Sequence, residues 1–480
     1  MVFSLSLAIP GSIAIGMAMG VAMLLFLQYR LGALVSAEWR ATLMVVVVGI
    51  GAFLSVALTS RTLSETRIEQ GVVVMYEDFA DGFAASRWLS LVLLAASLME
   101  VARGWAAARA AAQPDPARPI IYALLAYYFG TLLIQGLASE HTGFSYKALY
   151  VPIMLTGAYY LPVRHVRGIL EAAKGVMLLL TLGSLGAAVA APDFVLHRPD
   201  PGLLPGIDWR LYGLTSHANT LAPIALLAIV VELHSPSRLQ WLRWVHLSAA
   251  VTVFVLAQSK TTWGAAPVIL SAVYLPFWLR PGRDAAQRGR HFNRFAWTLV
   301  VLIAGVLVLT GALIATDAAD YVQRKADLAT LTGRTQIWDI TLQAWRENML
   351  FGWGPEVWGA ERRLQFLMFH VGHAHNQVMQ TLGEAGLVGL ALLLTYLGVL
   401  LYAALRRFVA TRGVVLALLI LMLVRCITEA PMRAEGLLSW ATFLHLLLLI
   451  LACHALRRPV GGVPGVAVVP TYAAANEPQR

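Results

Sequence analysis

The chain has 480 residues, 59% hydrophobic and 13% charged, with a mean hydropathy of +0.69, which leaves too little polar surface for a soluble globule of this length. The formal charge of +10 does not point to nucleic acid, because the arginines gather in short turns between apolar runs, where the positive-inside rule expects them. Helices are the spanning elements, since barrel strands would be shorter and half polar.

Apolar stretches long enough for a hydrocarbon core of about 30 Å predict spans at 8–28, 41–59, 85–102, 119–138, 147–163, 168–191, 218–234, 242–258, 262–279, 296–316, 382–405, 413–430 and 436–455. If one of the first six is re-entrant, twelve remain. The expected fold is an all-α polytopic bundle of about 12 (12 to 13) helices with one large helical insert. The first span lacks a basic n-region and a small-residue cleavage site, so it reads as retained. The turns "RGWAAARAAAQPDPARP", "VRHVR", "SRLQWLR", "RPGRDAAQRGRHFNR" and "RRFVATR" fall on one alternate set and are assigned to the cytoplasm. Residues 60–84, 139–147, 192–217, the turn at Lys260 and the insert 317–381 then face outward. Four divisions follow: an N-terminal bundle 1–316, the outward helical loop 317–381, closing spans 382–456, and a Pro/Gly/Ala-rich tail 457–480 expected to be a disordered cytoplasmic end. Cys426 and Cys453 both fall inside apolar spans and read as packing residues.

The insert is not a simple linker. "RTQIWDITLQAWREN" sets Ile337, Trp338, Thr341, Leu342 and Trp345 on a helical face, and "FGWGPEVWGAERRLQFLMFH" adds glycine turns and a second aromatic-rich helix.

Ionisable residues held by a membrane bundle are costly unless they face water, a partner or a substrate. Four outward stretches carry them: "DWRLYGLTSHANTLAP", "QSKTTWG", "TGRTQIW" and "GHAHNQVMQTLGEAGLVG". Each begins or ends a span, so they can converge at the outer boundary. Arg210, Lys260 and Arg334 supply cations without a matching acid cluster, which suits an anionic substrate such as a diphosphate. With only four lysines against thirty-two arginines, a lysine at such a position draws notice. Snorkelling to headgroups is the competing reading for each cation. His373 and His375 add imidazoles able to take a proton near neutral pH, while His217 and His370 read as interfacial or capping residues. A zinc site of His370, His373 and His375 is disfavoured, because an i, i+2 pair does not share a helix face and no cysteine is near. Glu77, Asp78 and Asp81 form no D-x-D motif. Arg425, deep in the span before Glu429, reads as a structural partner of that acid one turn on, with Arg433 and Glu435 beside the outer cavity.

The stretch "HNQVMQTLGEAGLVG" reads as H-N-x9-G-x-x-G through His375, Asn376, Gly386 and Gly389, and it resembles the signature of O-antigen ligases in the O-antigen ligase and polymerase superfamily. The order of parts is similar too: many spans, a large insert carrying "GR…W", then the histidine motif and closing spans. The family's arginine in an R-x3-L motif is matched by Arg334, with Trp338 in the leucine position. The family's Ser-Arg at a central span is Ser259-Lys260 here, which keeps charge and loses the bidentate fork.

The resemblance implies a GT-C-like fold and an inverting, metal-independent glycosyltransferase without cofactor. Its donor would be O-antigen on undecaprenyl diphosphate and its acceptor the lipid A core oligosaccharide, at the periplasmic face of a Gram-negative inner membrane. His375 would be the general base, and Arg334, Lys260 and Arg210 would neutralise the leaving diphosphate. His373, Asn376, Gln380, Trp338 and Arg433 would bind substrate, and the insert's tryptophans would form a lid. The rivals are an O-antigen polymerase, a protein O-oligosaccharyltransferase and, from another class, a lipid-linked sugar transporter, whose ionisable groups belong at mid-span.

Overall fold

The computed structural model describes residues 36–57, 68–69, 72–73, 84–111, 113–198, 204, 207–278, 334–368, 371–434 and 436–458. The expected spans at 8–28 and 296–316, Glu77, Asp78, Asp81, His370, Glu435 and the tail beyond 458 lie outside the described residues.

The described elements are α1 (Ala37–Ala57), a two-residue hairpin of β1 (Ile68–Glu69) and β2 (Val72–Val73), α2 (Ala84–Ala110), α3 (Arg118–Leu137), α4 (Tyr150–Tyr160), α5 (Arg167–Ala190) and α6 (Pro192–Val195). They continue with β3 (Leu196–His197) paired to β4 (Arg210–Leu211), α7 (Ala218–His234), α8 (Gln240–Leu256), α9 (Lys260–Trp278), α10 (Arg334–Glu347), α11 (Ala360–Gln365), α12 (Gln377–Arg406), α13 (Val414–Thr428) and α14 (Trp440–Arg457). Among the described residues six helices are long and apolar enough to cross a membrane (α1, α2, α3, α5, α12 and α14), and α7 and α13 are shorter apolar helices. The protein is thus an all-α, multi-pass membrane protein.

A helix that is apolar all round belongs in the centre of a bundle. α14 is that helix: it is buried over nearly its whole length and packs on α1, α4, α7, α12 and α13. Ser439 caps it by accepting from the Thr442 N–H at 3.1 Å. Its one mid-helix polar side chain, His445, is held between Tyr396 Oη (2.8 Å from Nε2) and Tyr128 Oη (3.3 Å from Nδ1). At its C-terminal end Arg457 makes a forked contact with Asp115 and donates to the Tyr159 carbonyl at 2.8 Å.

The glycine signature has a structural task. α12 is broken at Gly386, whose φ of 62° puts it in the left-handed region. The break exposes backbone to which the insert docks: Leu387 N–H donates to the Met349 carbonyl at 3.0 Å, Val388 N–H to Leu350 at 3.1 Å, and Trp353 N–H to the Gly383 carbonyl at 2.8 Å. A Cβ at Gly386 would lie 2.4 Å from Leu350 backbone atoms, so glycine is required twice over, for φ and for space. The insert is therefore bonded to α12.

The insert also has its own small core of Ile337, Ile340, Ala344, Val357, Trp358, Met368, Val371 and Ala374. This corrects the expectation of an aromatic lid at one position: Trp358 is 4% exposed, with its N–H given to Thr341 Oγ1 at 3.2 Å, because the helix-and-turn segment needs a large side chain to close its core. Trp353 packs between the His141 ring (4.0 Å) and the Arg362 guanidinium (4.6 Å).

Candidate active site

The site is built where helices end. Asn376 caps α12, its side-chain oxygen accepting from Val378 N–H (2.9 Å) and Met379 N–H (3.1 Å). Its amide nitrogen donates to the Ile427 carbonyl at 3.2 Å, tying the start of α12 to the end of α13. Gln380, 1% exposed, accepts from the Ala374 N–H at 2.6 Å and donates to Glu384 at 2.7 Å. Trp338 on α10 donates its indole N–H to the Ala374 carbonyl at 3.0 Å. The loop bearing His373 and His375 is thereby held at three points. Held between them, His375 takes φ 47°, a left-handed conformation uncommon for a residue other than glycine, though histidine enters it more readily than most.

His375 Nδ1 lies 3.2 Å from Glu429 Oε2, and His373 Nε2 lies 3.4 Å from the same oxygen. Arg334 at the start of α10 reaches the other carboxylate oxygen at 3.9 Å. Glu429 caps the end of α13, and its carboxylate faces the two histidines, with Arg425 one turn back as the expected partner. Arg425 acts on Glu429 through charge, while its buried Nε and Nη1 make no hydrogen bond. Burial alone would raise the Glu429 carboxyl, but the hydrogen bond from His375 and its cationic surroundings, the Arg425 charge among them, bring it down to about 2. His373 is pushed down to about 3, first by burial and then by the neighbouring His375 charge, against the pull of Glu429.

These contacts fix the tautomers. His373 Nδ1 accepts the His375 backbone N–H at 3.0 Å, so neutral His373 carries its proton on Nε2, toward Glu429. His375 Nδ1 donates its hydrogen bond to the ionised Glu429, so in the neutral ring the lone pair lies on Nε2, the arrangement of a carboxylate-oriented general base. His373, His375 and Glu429 also bring three potential metal-ligand atoms within 4.8 Å of one another. The guanidinium charges of Arg334, Arg425 and Arg433 act on the same cluster, which disfavours a further cation there.

The second half of the site comes from α7 and α9. His217 caps α7, its Nδ1 accepting the Asn219 N–H at 3.0 Å, and its Nε2 lies 3.3 Å from Tyr212 Oη. Arg210 donates to Asn219 Oδ1 at 3.3 Å and to the Ala257 carbonyl at 3.3 Å, and Ser259 Oγ donates to the same Asn219 oxygen at 3.1 Å. His217 is pushed down to about 4 by burial, with Glu429 opposing and Arg210, His375 and Arg334 reinforcing, so this network shares one field with the His375 pair. Lys260, next to Ser259, opens α9 and is exposed. Arg433 is half-buried and its charge acts on His373. The structure thus brings together His375, His373, Arg334 and Arg433 about Glu429, with Arg210 alongside. Asn376, Gln380 and Trp338 spend their described hydrogen bonds on protein backbone and Glu384. Sequence reading missed Glu429 and Asn219 as site residues; an acid just beyond an apolar span, in "TEAPMR", was the available signal.

Residues 245–394 match a family model described as O-antigen ligase. This match supports membership of the O-antigen ligase superfamily. The matched region runs from α8 through the kink of α12 and includes Lys260, Arg334, His373, His375 and Gly386; Arg210, Glu429 and Arg433 lie outside it. No curated protein matches the chain significantly.

Proposed function

We propose that this superfamily member is an inverting glycosyltransferase that moves an O-antigen polysaccharide from undecaprenyl diphosphate to the lipid A core oligosaccharide, without a metal or cofactor, in a Gram-negative inner membrane with its site facing the periplasm. The His375–Glu429 pair carries this reading. The diphosphate is already a good leaving group, so the protein has to position, deprotonate and balance charge.

An acceptor hydroxyl oxygen attacks the anomeric carbon from the face opposite the diphosphate. Its proton passes to His375 Nε2, the anomeric C–O bond to phosphorus breaks, and the electron pair leaves on the diphosphate, so configuration inverts. Glu429 stabilises the imidazolium that forms. Arg334, Arg210, Lys260 and Arg433 balance the departing anion, the task that a divalent ion performs in other transferases. Asn376, Gln380 and Trp338 hold the histidine loop in register, and His373 binds beside it as a neutral hydrogen-bonding group. An arrangement built on helix ends favours a boundary site over a mid-span transport site.

Product analysis tests the assignment. The purified protein is given undecaprenyl-diphosphate O-antigen together with lipid A core. Core-linked glycan is the expected product; lengthened lipid-linked glycan alone would make the protein a polymerase, and glycan on Ser or Thr of an added protein an oligosaccharyltransferase.

A further inference from the structure

A second charged assembly lies at the other end of the bundle, where the proposed chemistry has no use for it. α7 starts beside the site at its cap His217 and runs 17 residues to His234, about 25 Å at the rise of a helix. The turn just beyond is locked by buried charge. Lys174 on α5 donates to the Ser235 carbonyl (2.7 Å) and Ser237 Oγ (3.1 Å) and pairs with Glu171 (2.9 Å) and Glu232 (3.5 Å). Glu232, fully buried, accepts from Ser237 N–H and Oγ at 2.7 and 2.8 Å and faces His246 Nδ1 at 3.1 Å. A buried ion pair such as Lys174–Glu232 fixes geometry more than it adds stability.

What they fix is a groove of about 580 Å³ between the start of α5 and the start of α8, lined by Arg167, Glu171, Ser237, Arg238, Leu239 and Leu242. Glu171 is the acid in this lining and is already paired with Lys174. Arg167 and Arg238 are both exposed. Among the described residues neither guanidinium forms a hydrogen bond or ion pair.

A second, shallow depression of about 420 Å³ lies farther along the same seam, lined by Leu182 and Leu185 of α5 and by Trp244, Val245, Ala249 and the small polar Ser248 and Thr252 of α8. The two helices start at the same end and pack on one another. From Glu171 to Leu182 is about 16 Å of helix rise, roughly an acyl chain. The seam is cationic at the helix starts and mainly apolar inward, the profile of a lipid with an anionic head. We propose that the α5–α8 seam is a binding site for one anionic diacyl phospholipid, its phosphodiester held between Arg167 and Arg238 and an acyl chain lying along Leu182, Leu185 and Trp244. Guanidinium forks suit phosphate oxygens, and basic recesses between membrane helices select anionic headgroups.

The test is native mass spectrometry of the full chain released from bilayers of equal dioleoyl-phosphatidylglycerol and dioleoyl-phosphatidylcholine. The wild type is expected to retain one phosphatidylglycerol with a preference of roughly thirtyfold, as two basic side chains at about 1 kcal/mol each supply. The Arg167→Gln/Arg238→Gln protein is expected to lose the preference while still transferring glycan, and Leu182→Asn to weaken retention with both arginines intact. Equal retention of the two lipids by the wild type, or an unchanged preference in the double variant, would overturn the proposal. So would retention of added inorganic phosphate in place of lipid. The wild-type comparison decides even if the double variant fails to fold.

Discussion

His375 Nδ1 and Glu429 Oε2 stand 3.2 Å apart although 54 residues separate them in the chain. The contact joins the start of α12 to the end of α13, and Asn376 fastens the same two helix ends through the Ile427 carbonyl at 3.2 Å. A histidine held by a carboxylate that is itself surrounded by cations is organised to accept a proton from the other side of its ring.

Replacing the carboxylate should therefore damage catalysis out of proportion to stability. Glu429→Gln is nearly isosteric but leaves His375 free to adopt the other tautomer, and the transfer rate is expected to fall about 10²–10⁴-fold. The variant also stops favouring the imidazolium, so any acidic limb of the rate profile should move to lower pH. Initial rates from pH 5 to 9 on both proteins check this; a rate within about threefold of wild type would mean that Glu429 does not orient the base.

His373 should not shape that profile. It is pushed down to about 3, so it is neutral throughout the range where the enzyme would be assayed. His373→Asn keeps an acceptor for the His375 N–H and should leave the profile between pH 5 and 8 unchanged in shape. Disappearance of a limb would transfer the base assignment to His373.

Stability has its own pH dependence. His373 and His217 take up protons only below about 3 and 4 in the folded chain, but near 6.5 when unfolded. The unfolded state therefore binds more protons as pH falls through 6.5, and stability should drop between pH 7 and pH 5. Melting in detergent across that interval should show the decline, and His217→Asn should lessen it while still capping α7.

Gly386→Ala tests the docking of the insert. The left-handed φ of 62° and the 2.4 Å approach of Leu350 should cost about 1–3 kcal/mol and displace Arg334 from Glu429. A lower melting temperature with a matching loss of transfer is expected, whereas Gly136→Ala, with open space around its Cβ, should behave as wild type.

Within the bundle, His445→Leu should orphan two buried hydroxyls, those of Tyr128 and Tyr396. The expected loss is about 1–3 kcal/mol per hydroxyl, read as a lower melting temperature and relieved by adding Tyr396→Phe.

Hydropathy read most of the described helices to within a few residues, because length and apolar content decide what spans a bilayer; α7 begins and ends where the apolar run 218–234 does. α12 starts at Gln377, ahead of the apolar run at 382, because the Asn376 cap begins the helix in polar sequence. His373 and His375 were legible as titratable groups just ahead of a span, and Arg334 as a cation of the outward insert. Their common partner was not: Glu429 sits four residues after Arg425, and the helical i, i+4 rule paired those two. The helix ends at Thr428, so Glu429 leaves the helical register and turns to the histidines. The glycine signature was legible as a motif, but its use as a backbone docking break was not, because that depends on Met349–Gly354, more than thirty residues away.

The most direct test of the account is glycan transfer by purified wild type and His375→Ala, with undecaprenyl-diphosphate O-antigen, lipid A core and a chelator in both reactions. The account predicts core-linked product from the wild type, undiminished by the chelator, and a loss of about 10²-fold or more in the variant. Equal product from His375→Ala would contradict it, and loss of wild-type product with the chelator would return His373, His375 and Glu429 to consideration as a metal site.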